Sequence, residues 1–198
     1  MNTIPAFTRA EPDARRASLI AAAAQVLARH GVAGTSVRAI AVQAGVSPGL
    51  VGHYFDGIDA LIAETYAHVE AQVAAAIDAA VASAGPDPRA RLDAFVTASF
   101  APPVASPDLL ATWIAFWSLV PSRPAIAGQH DEQYAQFRAR VEGLLGDCGL
   151  ARERQRLAAI AITALVDGLW LELCLSPHAF SAQEAGGIAR ANLDALLR

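Results

Sequence analysis

Residues Gly45 to Phe55 read GVSPGLVGHYF, and two incompatible folds compete for them. Gly45-Val46-Ser47-Pro48-Gly49 spells G-x-S-x-G, the pattern in which a serine attacks esters from a sharp strand-to-helix turn. The whole stretch also suits the turn and second helix of a helix-turn-helix, which reads DNA and performs no chemistry. Pro48 separates the two. A hydrolase elbow draws one of its two oxyanion donors from the backbone N–H after the nucleophile, and proline has none. A helix opening at Ser47 loses nothing, because the serine is a cap candidate and proline brings a preset φ to a first-turn position that needs no amide. Local physics therefore favours the helix, with a Ser47 esterase as the remote alternative.

Working outward, the chain of 198 residues is 54% apolar and is folded rather than disordered. Strong helix formers run through almost every segment and no stretch alternates apolar and polar residues, so the expected class is all-α. All 15 basic residues are arginine. The absence of lysine removes Schiff-base, P-loop and kinase-type chemistries. Cys148 and Cys174 are too few for a disulfide framework or a cysteine zinc site, and read as reduced thiols of a cytoplasmic protein. The opening MNTIPAFTRAEPDARR has no apolar leader segment. The longest apolar run, Leu157 to Leu175, contains Asp167 and Glu172, each costing about 2.5 to 3.5 kcal/mol at bilayer depth. It reads as a buried or intersubunit helix, not a membrane span.

Net charge is −4, yet its distribution is uneven. Between Ala14 and Phe55 stand Arg15, Arg16, Arg29 and Arg38 with no acid, whereas from Asp56 onward 17 acids face 10 arginines. A basic quarter on an acidic remainder suits a DNA-reading module attached to a body of another purpose, although a solvated helix face gives the same count.

The spacing predicts helices over Arg15–His30, Val37–Gly45 and Ser47–Phe55, with Thr35 and Ser36 as cap candidates for the second. Ala41, Gly45 and Val51 hold helix-turn-helix spacing: a small residue at the crossing, a glycine in the tight turn, and an aliphatic packing back between the helices. Gly49, Leu50, Gly52, His53 and Tyr54 then face outward, a surface flat enough to lie deep in a major groove. A long helix follows over Asp59–Ala84, then others near Arg89–Phe100, Pro107–Val120, Pro124–Asp147, Arg152–Ser176 and Ala182–Arg198.

The run T-S-V-R-A-I-A-x-x-A-G-V-S-x-G-x-x-x-H-Y-F resembles the DNA-binding module of TetR-family repressors, over about residues 15 to 62. The resemblance implies that Ser36, Ser47 and Tyr54 bind phosphates, that Arg38 assists, and that Gly49, Leu50, Val51 and His53 lie at or beside base edges. Where the family usually opens its fourth helix with a lysine, this chain has Ile58. The family also implies a homodimer through the last two helices, about residues 152 to 198. Two reading helices set about 34 to 36 Å apart would then span both halves of a palindromic operator.

In the body, Trp113, Phe116 and Trp117 share one helix face, as do Asp167 and Trp170 on another. Aromatic faces around a carboxylate suit a quaternary ammonium ion, which has no N–H to donate and is held by cation-π attraction. Plain core packing explains the same residues. W-I-A-F-W at Trp113 to Trp117 and A-L-V-D-G-L-W-L at Ala164 to Leu171 are similar to the BetI-type branch, the choline-responsive repressors of betaine synthesis. That likeness implies a choline-like effector; an apolar or aromatic effector of an efflux or catabolic operon is the alternative. His130-Asp131-Glu132 points three ways along a helix and makes no metal site, and neither cofactor nor enzymatic activity is expected. The expected organisation is a helix-turn-helix domain over 1–58 and an effector-binding and dimerisation domain over 59–198.

Overall fold

The computed structural model describes residues 12–198, and most of the opening stretch judged above lies outside them. Among the described residues there are nine α-helices, one 3-10 turn and no strand. The helices are α1 (Pro12–His30), α2 (Val37–Ala44), α3 (Pro48–Tyr54), α4 (Gly57–Ser83), α5 (Pro88–Thr97), α6 (Pro107–Leu119), α7 (Pro124–Asp147), α8 (Arg152–Leu175) and α9 (Ala182–Leu196). Proline opens α3, α5, α6 and α7, the position where its missing amide costs nothing. The expected helix over Arg89–Phe100 is instead α5 followed by a 3-10 turn at Ala98–Phe100. Pro102 and Pro103 follow, and a residue before proline is pushed out of the α region.

The helix-turn-helix is built from local bonds. The Ser36 hydroxyl accepts from the Ala39 amide at 3.1 Å and caps α2. Gly45 ends that helix at φ +66°, and the Val46 amide bonds the Ala41 carbonyl at 2.9 Å, a Schellman closure. Ser47 differs from expectation: its side chain makes no cap bond, and its carbonyl closes the turn from the Leu50 amide at 3.0 Å. Beneath these turns Leu19, Ala23, Val26, Ile40, Ala41, Val51, Phe55 and Leu61 form the core of the head.

A second, larger core fills the body, drawing on α4 through α9 and also on Leu27 of α1. Adjacent residues of α4 serve different cores, Leu61 the head and Ile62 the body. Ile58, at the site of the missing lysine, is half-buried and packs against both. α8 buries Ala158, Ala159, Ile162, Thr163, Val166, Trp170 and Leu173, while Leu157, Ile160, Leu171 and Leu175 stay exposed.

The αL turn at Gly45 makes a clean prediction. A Cβ there would meet no atom within 4 Å, so Gly45→Ala has only the positive φ to oppose it. It should destabilise the protein by about 1 kcal/mol, seen as a lower urea midpoint at unchanged slope. Asn at the same position, more tolerant of αL, should recover part of that loss.

Candidate nucleic-acid interface and ligand pocket

On the head, Gly49, Gly52 and His53 occupy i, i+3 and i+4 of α3 and are exposed, as are Ser36, Arg38 and Ser47. Leu50 and Tyr54 are half-buried, with the Tyr54 ring against the edge of His53 at 5.3 Å. Val51 is 1% exposed and lies in the head core. It is therefore withdrawn from the residues expected at base edges: it holds α3 from beneath. A Cβ on Gly49 or Gly52 would enter open space, so the chain's own packing does not require either glycine.

The charge reading needs one revision. Arg16 is not part of a free basic face, because its guanidinium pairs with Glu64 of α4 and its Nη1 donates to the Tyr54 carbonyl at 3.1 Å. The same group lies over the Phe55 ring at 4.8 Å. Arg16 thus ties the end of α3 to α1 and α4.

In the body a cavity of about 110 Å³ opens between α4, α6, α7 and α8. Trp113 and Trp170 form two of its walls, edge to face at 5.8 Å, and Tyr66 stacks on Trp113 at 5.6 Å. The Trp170 indole donates to the Ser99 carbonyl at 2.8 Å, satisfying the end of the 3-10 turn and fixing the ring. Asp167 enters from α8 and accepts from the Tyr134 hydroxyl at 3.1 Å; that hydroxyl accepts from the Trp117 indole at 3.0 Å. One hydrogen-bonded chain therefore links α6, α7 and α8.

Of the five expected pocket residues, Trp113, Asp167 and Trp170 line the cavity. Phe116 does not: it is 0% exposed and packs edge-on behind Tyr66 at 4.8 Å. Trp117 also stands back and acts through Tyr134. At 3.6 residues per turn the α6 face is wider than the cavity, so only its first aromatic reaches the opening.

Burial drives the Asp167 carboxyl up to about 6, with the Tyr134 hydrogen bond and nearby Arg138 pulling the other way. Burial likewise raises the phenols of Tyr66 and Tyr134, which remain donors at neutral pH. The site is an aromatic chamber with a desolvated carboxylate that no ion pair among the described residues neutralises. Such a chamber favours a compact cation with apolar substituents.

Residues 19–65 match the bacterial regulatory proteins of the tetR family, and residues 88–198 match the C-terminal domain of BetI-type transcriptional repressors. The chain belongs to the TetR family and is a BetI-type transcriptional repressor. It is 35% identical over 185 residues to the HTH-type transcriptional regulator BetI of Paraburkholderia phytofirmans, covering 92% of this chain and 93% of that protein. A second such regulator, from Burkholderia thailandensis, matches at the same identity and coverage. A transcriptional regulator from Pseudomonas aeruginosa superposes with TM-score 0.86 at 42% identity, over 99% of this chain and 96% of that one. A regulator from Saccharomonospora viridis, solved in complex with choline, shares the fold at TM-score 0.78 and 18% identity, over 92% and 96% of the two chains.

The repressor's pocket also uses residues that sequence reasoning passed over: Glu70, Val73 and Ile77 of α4, and Tyr134 and Phe137 of α7. His130, read as part of a solvated face, stacks on Tyr134 at 4.0 Å. Tyr134 and Phe137 at i, i+3 were the available signal on α7, masked by the charged residues on either side, Asp131, Glu132, Arg138 and Arg140.

Because the folded protein holds Asp167 above its ordinary value, folding favours the protonated form, and the penalty is absent at low pH and complete above about 6. In the repressor, Asp167→Asn should therefore stabilise at pH 7.5 by up to about 3 kcal/mol. The gap in Tm between variant and parent should close as pH is lowered toward 4; a pH-independent gap would refute the buried charge.

Proposed function

We propose that this repressor binds a palindromic operator as a homodimer in the cytoplasm and is released from it by choline or a closely related quaternary ammonium ion. One observation carries the DNA half of this reading: α3 presents Gly49 and Gly52 on an outer surface where nothing in the chain calls for glycine. Glycine inside a helix costs about 1 kcal/mol relative to alanine, so its place there is explained by close approach of something else. The edges of base pairs in a major groove fit that surface, with Leu50 and His53 beside them. Ser36, Arg38, Ser47 and Tyr54 lie where phosphate oxygens would flank it. In this scheme residues 1–58 read DNA and 59–198 sense the effector.

The effector half rests on Asp167 within the aromatic chamber. A choline ion would place its methyl groups against Trp113 and Trp170 and its charge beside the carboxylate, offsetting the desolvation that burial imposes on Asp167. The choline complex of the Saccharomonospora viridis regulator and the BetI relatives support the same choice. Transmission runs through α6: its Trp113 faces the pocket, and the Thr112 hydroxyl meets the Ala24 carbonyl of α1 at 3.3 Å. A ligand that fits one position of α6 better than another shifts the heads by that difference in affinity.

The dimer reading draws on the exposed face of α8 and α9. Leu157, Ile160, Leu171 and Leu175 on α8, with Ile188 on α9, make an apolar stripe interleaved with exposed Ala161, Ala164, Gly168 and Ala191. Small residues between large ones let two helix pairs approach closely and bury the stripe.

In a gel-retardation assay with the repressor's own promoter, binding should weaken with salt. Gly49→Ala and Gly52→Ala should each raise stability by up to about 1 kcal/mol yet weaken retardation at least tenfold, a pairing that core glycines cannot give. Choline should raise Tm and lift retardation, and Asp167→Asn should abolish both responses; an unresponsive parent protein rules out choline. Ala164→Glu with Leu171→Glu should yield a folded monomer by analytical ultracentrifugation, and a persisting dimer would place the interface elsewhere.

A further inference from the structure

Outside the aromatic pocket, between α4 and α7, lies a second cavity of about 210 Å³. Glu70, Gln133 and Gln136 line both, so the two adjoin, and the outer one adds Glu132, Gln129 and Ala67. Tyr66 stands at the boundary, its ring stacked on Trp113 of the inner pocket and its hydroxyl donating to Gln133 Oε1 at 2.6 Å. No arginine or histidine lines the outer cavity.

Its free acceptors are the two carboxylates, Glu70 and Glu132, and one carboxamide oxygen. Gln129 spends its amide N–H on the Ala63 carbonyl at 3.3 Å, leaving a buried Oε1 with no partner. The Glu70 carboxyl is held above its usual range by burial and then by the charge of Glu132, so the two acids feel each other across the cleft. The other rim of the inner pocket is of opposite character. Arg140, two turns further along α7 than Gln133, pairs there with Asp78 and lies over the Phe95 ring at 4.8 Å. A cation therefore meets an acceptor-lined approach at one rim and a guanidinium at the other.

We propose that the cleft between α4 and α7 is the path by which a cationic effector reaches the aromatic pocket, with Glu70 and Glu132 drawing it in and Tyr66 with Gln133 forming the threshold. This rests on the cationic reading of the inner pocket. Two carboxylates lining one cleft raise the local concentration of a cation, and the free Gln129 oxygen with the half-buried Glu70 carboxylate replaces part of its water before it meets the rings. The pair acts on arrival, while Asp167 and the tryptophans act on retention.

Stopped-flow fluorescence with choline chloride separates these roles, because all three tryptophans of the chain lie at the inner pocket or its hydrogen-bonded chain. In the full-length protein, Glu132→Gln, which touches the outer cleft alone, should lower the association rate by roughly two- to fourfold at low salt and flatten its salt dependence, with dissociation little changed. Ala67 is exposed at the mouth, so Ala67→Leu is tolerated sterically and should slow association and dissociation by the same factor at unchanged Kd. Asp147→Asn, at the exposed end of α7, is the control for net charge and should leave the rates alone. If choline still quenches the fluorescence but neither substitution slows association, or Glu132→Gln speeds dissociation instead, the path is overturned and the inner pocket stands. If the parent protein gives no response to choline, the inner pocket reading fails and the path falls with it.

Discussion

Leu61 and Ile62 are neighbours in sequence and serve different cores, one in the head and one in the body. Because successive residues of a helix point about 100° apart, a helix lying between two cores must feed both, and α4 cannot turn without disturbing each. Leu27 does the reverse service, carrying α1 of the head into the body core. Arg16, joined to Glu64, to the Tyr54 carbonyl and to the Phe55 ring, adds a polar tie over the same seam. The head is therefore not a passenger on a flexible linker. Packed interiors have discrete arrangements, so a shift in the body reaches the reading helix as a change of position.

Against that frame the pocket is a deliberate weak point. Asp167 is withdrawn from water with no arginine in an ion pair with it; the Tyr134 hydroxyl bonds it, and Arg138 favours its charge only from further away. A group so placed lowers the stability of the fold at neutral pH and raises the advantage of any cation that fills the chamber. The cost and the response are the same free energy seen from two sides. Ile58 makes a comparable exchange in the head. At the position where TetR proteins usually offer a lysine, this chain places an apolar side chain between the two cores, exchanging a surface charge for a tighter seam.

Much of this was legible before any coordinates. Pro48 after Ser47 decided helix over elbow, Gly45 with Ala41 and Val51 set the turn, and prolines marked four helix starts. These are local rules: a missing amide, a positive φ or a small side chain constrains the backbone wherever the chain goes. Trp113, Asp167 and Trp170 were legible as a group because helical spacing puts them on common faces.

What only the tertiary structure decided is which of those faces meet, and at what depth. Phe116 and Trp117 share a helix face with Trp113 yet fall behind the pocket, and Tyr134 and Glu70 belong to it from helices read as unremarkable. Arg16 counted toward the basic quarter of the chain and is paired across 48 residues with Glu64. Helix periodicity names the faces of one element, but the angle and register between elements come from side-chain interdigitation over the whole core, and those contacts have no local signature.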